Sequence, residues 1–551
     1  MSAYTAHLDS FARDNLPPRE LWPSFHFDLP ELQHPSRLNC AVELLDGMVE
    51  RGLGEKTAFI TPNERWTYRD LLVRANRIAR MLSEDFRLVP GNRVLLRAAN
   101  NPMLVACWFG ILKAGGIVVA AMPLLRAREL AVILDKAQVR LALCDERLAD
   151  ELEQARRQAP VCERIVYFNG SGLPNSGAEL EQRMARKTTD FANVETAADD
   201  VALIAFTSGT TGKPKGTMHF HRDVLAICDC FPRSILKPSA DDLFIGSPPL
   251  AFTFGLGGLV TFPMRFGAST VLLEAAPPDL LIQAIEAFGA SICFTSPTAY
   301  RMMLDKVPGV GLASLEKCVS AGEPLPLATF EAWQRTTGIG IIDGIGATEM
   351  LHIFISAAGD DLRPGATGKP IPGYQAMVVD EDMRPIPPGE TGKLAVRGPT
   401  GCRYLADERQ KDYVRAGWNL TGDAYRTDEE GYFWFQARVD DMIISAGYNI
   451  SGPEVEEVLL EHEAVAECAV VGAPDAVRGQ IVKAFVVPRQ DVPPSDRLVE
   501  ELQQFVKQRI AAYKYPRAIE FLDDLPRTET GKVQRFRLRQ REAERAVARA
   551  S

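Results

Sequence analysis

No apolar run in the 551 residues approaches the ~20 that cross a bilayer. The best candidate, Gly115 to Leu125, is too short and follows Lys113. The first residues, Met1 to Asp9, have neither a basic nor an apolar leader segment, so export is not expected. Positive charge is also short. The balance of −10 argues against a nucleic-acid partner and leaves any polyanionic ligand to be held by local donors against the global field. The ten cysteines are scattered, with Cys228 and Cys230 the only close pair and no second pair at metal-ligand spacing. That excludes a disulfide framework or a zinc site in favour of reduced, buried thiols in a cytoplasmic protein. Neither an internal repeat nor a low-complexity linker interrupts the chain.

What is present is ordinary in bulk and specific in detail. Hydrophobic content of 46% and charged content of 24% suit a globular protein, and the length calls for two or more domains. Up to about residue 360, short apolar runs alternate with helix-length segments. Arg93–Leu96, Gly116–Ala120, Leu141–Cys144, Ser269–Leu273 and Ala290–Phe294 read as strands, and Leu71–Ser83 and Asp279–Phe288 as helices. The alternation predicts α/β layers with largely parallel sheets. From Gly365 to Gly401 frequent Gly and Pro around strands such as Lys393–Val396 predict a β-rich subdomain. Beyond Asp440 a hairpin, a helix opened by Pro453, strands at Cys468–Val471 and Ala484–Val487 and a helix from Asp496 to about Ile510 predict a small α+β domain. The expected division is 1–439 and 440–551, with a short joint at Asp440.

The most informative stretch is Thr207-Ser208-Gly209-Thr210-Thr211-Gly212-Lys213-Pro214-Lys215-Gly216, which follows the buried-strand pattern Val201–Phe206. Glycine lets a backbone approach phosphates with its N–H groups inward, hydroxyls add donors, and lysine adds charge. A Walker loop needs four residues between its first Gly and the Gly-Lys pair. Counted from Gly209, that second Gly falls on Pro214, so this is a nucleotide loop of another kind.

Six later segments follow in order: Ser320-Ala321-Gly322-Glu323-Pro324; Asp343-Gly344-Ile345-Gly346-Ala347-Thr348-Glu349; Gly365-Ala366-Thr367-Gly368-Lys369-Pro370; Thr421-Gly422-Asp423; Arg438-Val439-Asp440-Asp441 with Gly447; and Arg527-Thr528-Glu529-Thr530-Gly531-Lys532. Each alone is weak. Together, over essentially the whole chain, they resemble the adenylate-forming superfamily of acyl-CoA synthetases, luciferases and peptide-synthetase adenylation domains. The resemblance implies that ATP activates a carboxylate as an acyl-adenylate before transfer to a thiol. It implies that Thr207, Ser208, Gly209, Thr210, Thr211 and Lys215 hold the β- and γ-phosphates, that Thr348 meets the α-phosphate, and that Glu349 helps hold Mg²⁺. It also implies that Gly322, Glu323, Pro324, Asp343, Gly344 and Ile345 line the adenine, that Asp423 takes the ribose hydroxyls beside Arg438, and that Lys532 is the catalytic lysine. Lys532 lies 325 residues beyond Thr207, so the small domain must fold back over the large one. Asp440 matches the family's hinge, and Gly447 its CoA-facing loop.

The run Asp343 to Phe354 resembles the benzoate-CoA ligase branch, with Ile345 where many relatives carry an aromatic residue. The segment Ala251-Phe252-Thr253-Phe254-Gly255 sits where the family builds its acyl pocket, joined there by Ala321, Gly346, Ala347 and His352. The N-terminal region and this segment are more similar to 2-aminobenzoate-CoA ligases, and Thr253 offers a hydroxyl to an ortho-amino group. The expected function is therefore an ATP- and CoA-dependent aryl-CoA ligase, for 2-aminobenzoate first or else benzoate or another substituted benzoate. A homodimer is left open. Plainer readings stand beside this one. Glu349, Asp423 and Lys532 are each ordinary surface charges when taken singly. His352, Phe252 and Phe254 serve equally as core, and His221 as a brace. A free-standing enzyme that loads a carrier protein, or an idle nucleotide binder, remains as an alternative class.

Overall fold

The structure, a computed structural model, describes residues 4–172, 177–207, 214–309, 311–445, 448–475, 478–510, 514–527 and 532–550. Ser208, Gly209, Thr210, Thr211 and Gly447 lie outside the described residues. The predicted α/β layering is present. One sheet runs, in spatial order, through Arg164–Phe168, Leu141–Asp145, Arg93–Arg97, Ile117–Ala121, Val201–Thr207 and Lys215–Phe220. All its pairings are parallel except the last, where Val201–Thr207 and Lys215–Phe220 form an antiparallel pair. A second sheet of nine strands centres on Ile341–Gly346, Lys317–Ala321, Ile292–Thr295, Leu243–Gly246 and Ser269–Val271, all parallel, with antiparallel strands at its edges.

Helices Tyr68–Glu84, Pro102–Lys113 and His221–Phe231 share one hydrophobic core with residues of both sheets. Pro102–Lys113 is buried on every side, as an almost wholly apolar helix should be. Its start is set by Asn101, whose side chain accepts from Leu104 N at 2.9 Å, and by proline at its first position. The Thr67–Asp70 capping box starts Tyr68–Glu84. A five-stranded antiparallel sheet over Gln375–Arg438 fulfils the β-rich expectation and extends it well past Gly401. Beyond it the chain builds its own sheet from Ile443–Ser445, Tyr448–Ile450, Val465–Asp475, Gly479–Pro488 and Ala518–Phe521, covered by helices Gly452–Leu460 and Asp496–Arg509 around a separate core. No helix among the described residues is long and apolar enough to cross a membrane.

Lys113, at the end of the central helix, has a fully buried side chain, and its ammonium donates to both carboxylate oxygens of Asp46 at 2.6 and 2.5 Å. Asn193 steadies the same carboxylate at 2.9 Å. Burial presses the Lys113 pKa down, and Asp46 opposes that. Asp46→Ala strands a buried charge and is expected to cost about 3–5 kcal/mol in urea unfolding. Asp46→Leu combined with Lys113→Met is expected to recover most of that loss.

Candidate active site

The motifs converge at the C-terminal ends of neighbouring strands in the nine-stranded sheet, where parallel α/β sheets bind ligands. Lys317–Ala321 and Ile341–Gly346 pair in parallel with Ser320 opposite Asp343. Ser320 Oγ donates to Asp343 Oδ1 at 2.9 Å. Burial pushes the Asp343 carboxyl up to about 7, against the pull of Ser320 and the Gly344 N–H. Beyond Ala321 the chain turns through Gly322 at φ +91°, a conformation that favours glycine. A side chain built there would stand 3.7 Å from both Cε and Nζ of Lys532, so the distant lysine does reach this turn. Glu323 follows, accepting from Thr298 Oγ1 at 2.6 Å, and Pro324 is exposed. Gly344 lies against Ile353, and Ile345 is half-buried.

Asp423 and Arg438 face each other across two antiparallel strands, and Arg438 Nη1 donates to Asp423 Oδ1 at 2.7 Å and to the Thr421 carbonyl at 3.1 Å. The Lys532 ammonium feels this group. Burial lowers its pKa, Glu323 raises it, Arg438 lowers it and Asp423 raises it, with a net downward shift. Contacts on the same side hold the C-terminal unit over the sheet. Glu457 Oε1 accepts from Leu327 N at 3.0 Å at the start of helix Leu327–Thr337, and Arg301 pairs with Glu467 at 3.5 Å. Asp440 falls in the single turn Val439–Asp441 that leads into this unit.

Thr348 and Glu349 occupy a tight turn between strands Ile341–Gly346 and Ile353–Ser356. Leu351, just after it, has φ +70°, a strained setting for a branched side chain that costs of order 1–3 kcal/mol and needs outside support. His219 Nε2 donates to the Thr348 carbonyl at 2.8 Å, and Thr400 Oγ1 donates to the Met350 carbonyl at 2.7 Å. Below His219, buried Asp223 is gripped by buried Arg403. Burial alone would raise the Asp223 pKa, but the guanidinium and neighbouring groups hold it below the usual range. Thr207 pairs with Lys215 where the antiparallel strands Val201–Thr207 and Lys215–Phe220 flank residues 208–213. Lys215 Nζ reaches Tyr404 OH at 3.0 Å, and that hydroxyl donates to Glu349 Oε1 at 2.5 Å.

The acyl-pocket segment is helical from Thr253 onward and has two faces. On one, Gly257 and Gly258 let the helix lie close to His352 and Phe294, where any Cβ would meet ring atoms at 2.3 and 2.5 Å. The His352 ring lies 4.4 Å from Phe262, 5.6 Å from Phe254 and 5.9 Å from Phe231. Phe254 is therefore part of an aromatic box, whereas half-buried Phe252 joins none of these ring contacts among the described residues. On the other face Ala251 lines a small apolar cavity with Leu96, Ala98, Leu104, Trp108 and Val260. Half-buried Thr253 opens the helix, and Gly255 packs on the Pro249 carbonyl. Ala321 is buried, Ala347 half-buried, and Gly346 lies against the His352 carbonyl. Burial pushes the His352 pKa down to about 3, opposed only by the Phe254 backbone, so the ring is neutral. Neither of its nitrogens has a hydrogen-bond partner of ordinary geometry among the described residues.

Comparison with known proteins agrees with this geometry. Residues 49–404 match the AMP-binding enzyme family and residues 454–532 the AMP-binding enzyme C-terminal domain. The chain is 35% identical to the benzoate–CoA ligase of Thauera aromatica over 93% of its own length and 97% of that protein. Its structure superposes on the anthranilate CoA ligase AuaEII in complex with anthranoyl-AMP with TM-score 0.87 at 34% identity, covering 93% and 99% of the two chains. For a benzoate CoA ligase from Burkholderia xenovorans LB400 the TM-score is 0.83 at 32% identity, covering 91% and 100%. The chain thus belongs to the adenylate-forming family of AMP-binding enzymes. Within it, the chain stands in the branch of the benzoate- and aminobenzoate-CoA ligases.

Several residues of the site carry no signal in the sequence. His219, Asp223, Arg403 and Tyr404 support the Thr348–Glu349 turn from other elements, and Phe231, Phe262 and Phe294 complete the aromatic box. None of them stands in the motifs that carry the family resemblance. Asp343 offers a direct test. Its folded pKa near 7 lies above the ~3.9 of an unfolded chain, so its favourable contribution is complete below about pH 4 and is lost as pH rises through 7. Asp343→Asn, always neutral, is expected to gain about 1–2 kcal/mol on the parent between pH 6 and 8. Paired urea titrations across that range measure the gap, and a gap that does not change with pH would contradict the shift.

Proposed function

We propose that this protein is an ATP-dependent, AMP-forming aryl-CoA ligase that prefers 2-aminobenzoate. The observation that carries the reading is the position of Lys532, beside Gly322 and in the field of Glu323, Asp423 and Arg438, together with the aromatic box around neutral His352. In the first half-reaction a carboxylate oxygen attacks the α-phosphorus of ATP and pyrophosphate leaves. The Lys532 ammonium stands between the two anions and stabilises the charge that builds on the phosphorus. Thr207, Lys215 and the loop between them hold the leaving phosphates, Thr348 meets the α-phosphate, Asp423 and Arg438 take the ribose, and Asp343 faces the adenine amino group. In the second half-reaction the CoA sulfur attacks the acyl carbon and AMP leaves.

Glu349 suits Mg²⁺. It is a buried carboxylate that accepts from the Tyr404 hydroxyl, and no cluster of three metal-ligating side chains forms among the described residues. A single carboxylate completed by phosphates and water is the usual setting for this ion, and Glu349 would hold it there. Bound Mg²⁺ supplies charge neutralisation on the phosphates. Residues 440–551 act as a lid that turns about Asp440 between the half-reactions and brings Gly447 towards CoA. The Glu457 and Arg301–Glu467 contacts break in that turn. The ring preference is supported by His352, whose neutral ring has one nitrogen able to accept from an ortho-amino group.

ATP–pyrophosphate exchange driven by 2-aminobenzoate, with aryl-CoA appearing only when CoA is added, is the expected behaviour. Exchange without a CoA thioester would favour carrier loading, and no exchange an idle binder. Lys532→Ala is expected to slow adenylate formation by roughly a hundredfold or more while sparing thioester formation from supplied acyl-adenylate. Equal loss of both half-reactions would sink the two-face scheme. Across substituted benzoates, kcat/KM for 2-aminobenzoate should exceed that for benzoate by about tenfold, the worth of one well-placed hydrogen bond. No preference would remove the 2-amino assignment.

A further inference from the structure

Tyr404 lies in no motif discussed above, is fully buried, and sits between the two opposite charges that face the polyphosphate. Its hydroxyl accepts from Lys215 Nζ at 3.0 Å and donates to Glu349 Oε1 at 2.5 Å, the two roles a phenol can fill at once. The Lys215 ammonium also lies 4.8 Å from the ring centroid, within range of a cation–π attraction.

The hydroxyl is held from several directions. Tyr404 bridges to Thr217 on the strand that leaves the phosphate loop, with Met218 N donating to the Arg403 carbonyl and Leu405 N to the Gly216 carbonyl, each at 2.8 Å. Tyr404 N donates to Gln410 Oε1 at 2.9 Å, and its ring meets Tyr413 edge-on at 5.8 Å. The preceding Arg403 is fixed by buried Asp223. The phenol is thus delivered on a rigid strand edge to a point where an ammonium and a carboxylate would otherwise attract each other. In a water-poor pocket that attraction is strong. Among the described residues no direct ion pair joins Lys215 to Glu349.

We propose that Tyr404 is a positioning residue that holds Lys215 and Glu349 apart, so that the ammonium stays available to the β- and γ-phosphates and the carboxylate to the magnesium that accompanies them. This rests on the ATP-dependent reading given above. Without the hydroxyl, Lys215 and Glu349 collapse into a direct pair, and Mg·ATP must break that pair to bind.

Calorimetric binding of Mg·ATP, without aryl acid so that no turnover occurs, tests this on the full-length protein. Tyr404→Phe keeps the ring and is expected to weaken Mg·ATP at least fivefold. A non-hydrolysable acyl-adenylate mimic, the aryl sulfamoyl adenosine, lacks β- and γ-phosphates and should bind the variant within twofold of the parent. In a Lys215→Ala background, where no pair can form, Tyr404→Phe should cost less than twofold further. A smaller loss of Mg·ATP in the single variant, or an equal loss of both ligands, would overturn the proposal. An undiminished effect of Tyr404→Phe in the Lys215→Ala background would overturn it too. A parent protein that binds no Mg·ATP would instead defeat the functional reading itself.

Discussion

A carboxylate and a triphosphate repel each other, and offsetting that repulsion governs how this protein is built. The chain carries a net charge of −10, so the long-range field makes the encounter harder. On the proposed reading local cations and oriented donors offset the repulsion, and the candidates come from widely separated segments. Lys215 stands at the end of a hairpin in the first sheet, Arg438 on the antiparallel sheet, and Lys532 near the C-terminus. Each is matched to a nearby carboxylate: Glu349 through Tyr404, Asp423 directly, and Glu323 beside Lys532. Arg438 is thus already paired before any substrate arrives, whereas the Tyr404 hydroxyl stands between Lys215 and Glu349.

The same balance explains the load placed on the Thr348–Glu349 turn. Its geometry forces Leu351 to φ +70°, which an isolated loop would relax. It is supported by His219 below Thr348, Thr400 below Met350 and Tyr404 beside Glu349. These props come from the strand after the phosphate loop and from the segment around residue 400. The Thr348–Glu349 turn is thus braced in part by the strand Lys215–Phe220. The aromatic box begins at the residue after Leu351, so the strain that places Glu349 also turns His352 towards Phe254 and Phe262. The Thr348–Glu349 pair and the aromatic box thus share one strained turn.

Much of this was legible without coordinates. The strands at Arg93, Ile117, Leu141 and Ile292 and the helices at Tyr68 and Pro278 stand within a few residues of where apolar periodicity put them. The phosphate loop was separated from a Walker loop by spacing alone. The fold gives the physical counterpart, because the chain returns from the loop as an antiparallel strand and not as a helix. The acyl segment was less legible. Gly257 and Gly258 let a helix lie against His352 and Phe294, and Ala251 faces a cavity lined by Trp108 rather than the ring box. Local pattern cannot report that, because a glycine that makes room for a neighbouring ring looks the same in sequence as one that makes a turn.

The sequence by itself determined the class of chemistry. Ordered motifs of glycine, hydroxyl, carboxylate and lysine, each weak alone, together carry the resemblance to the adenylate-forming family, and glycine, hydroxyl and lysine are the groups that can cradle a phosphate. Tertiary structure alone decided which residues support those atoms. His219, Asp223, Arg403 and Tyr404 reach the site through strand pairing and burial between segments almost two hundred residues apart, and nothing local marks them. The environment of His352 was likewise decided in three dimensions. Its neutrality arises from burial among the rings of Phe231, Phe254 and Phe262, brought together by packing from three parts of the chain.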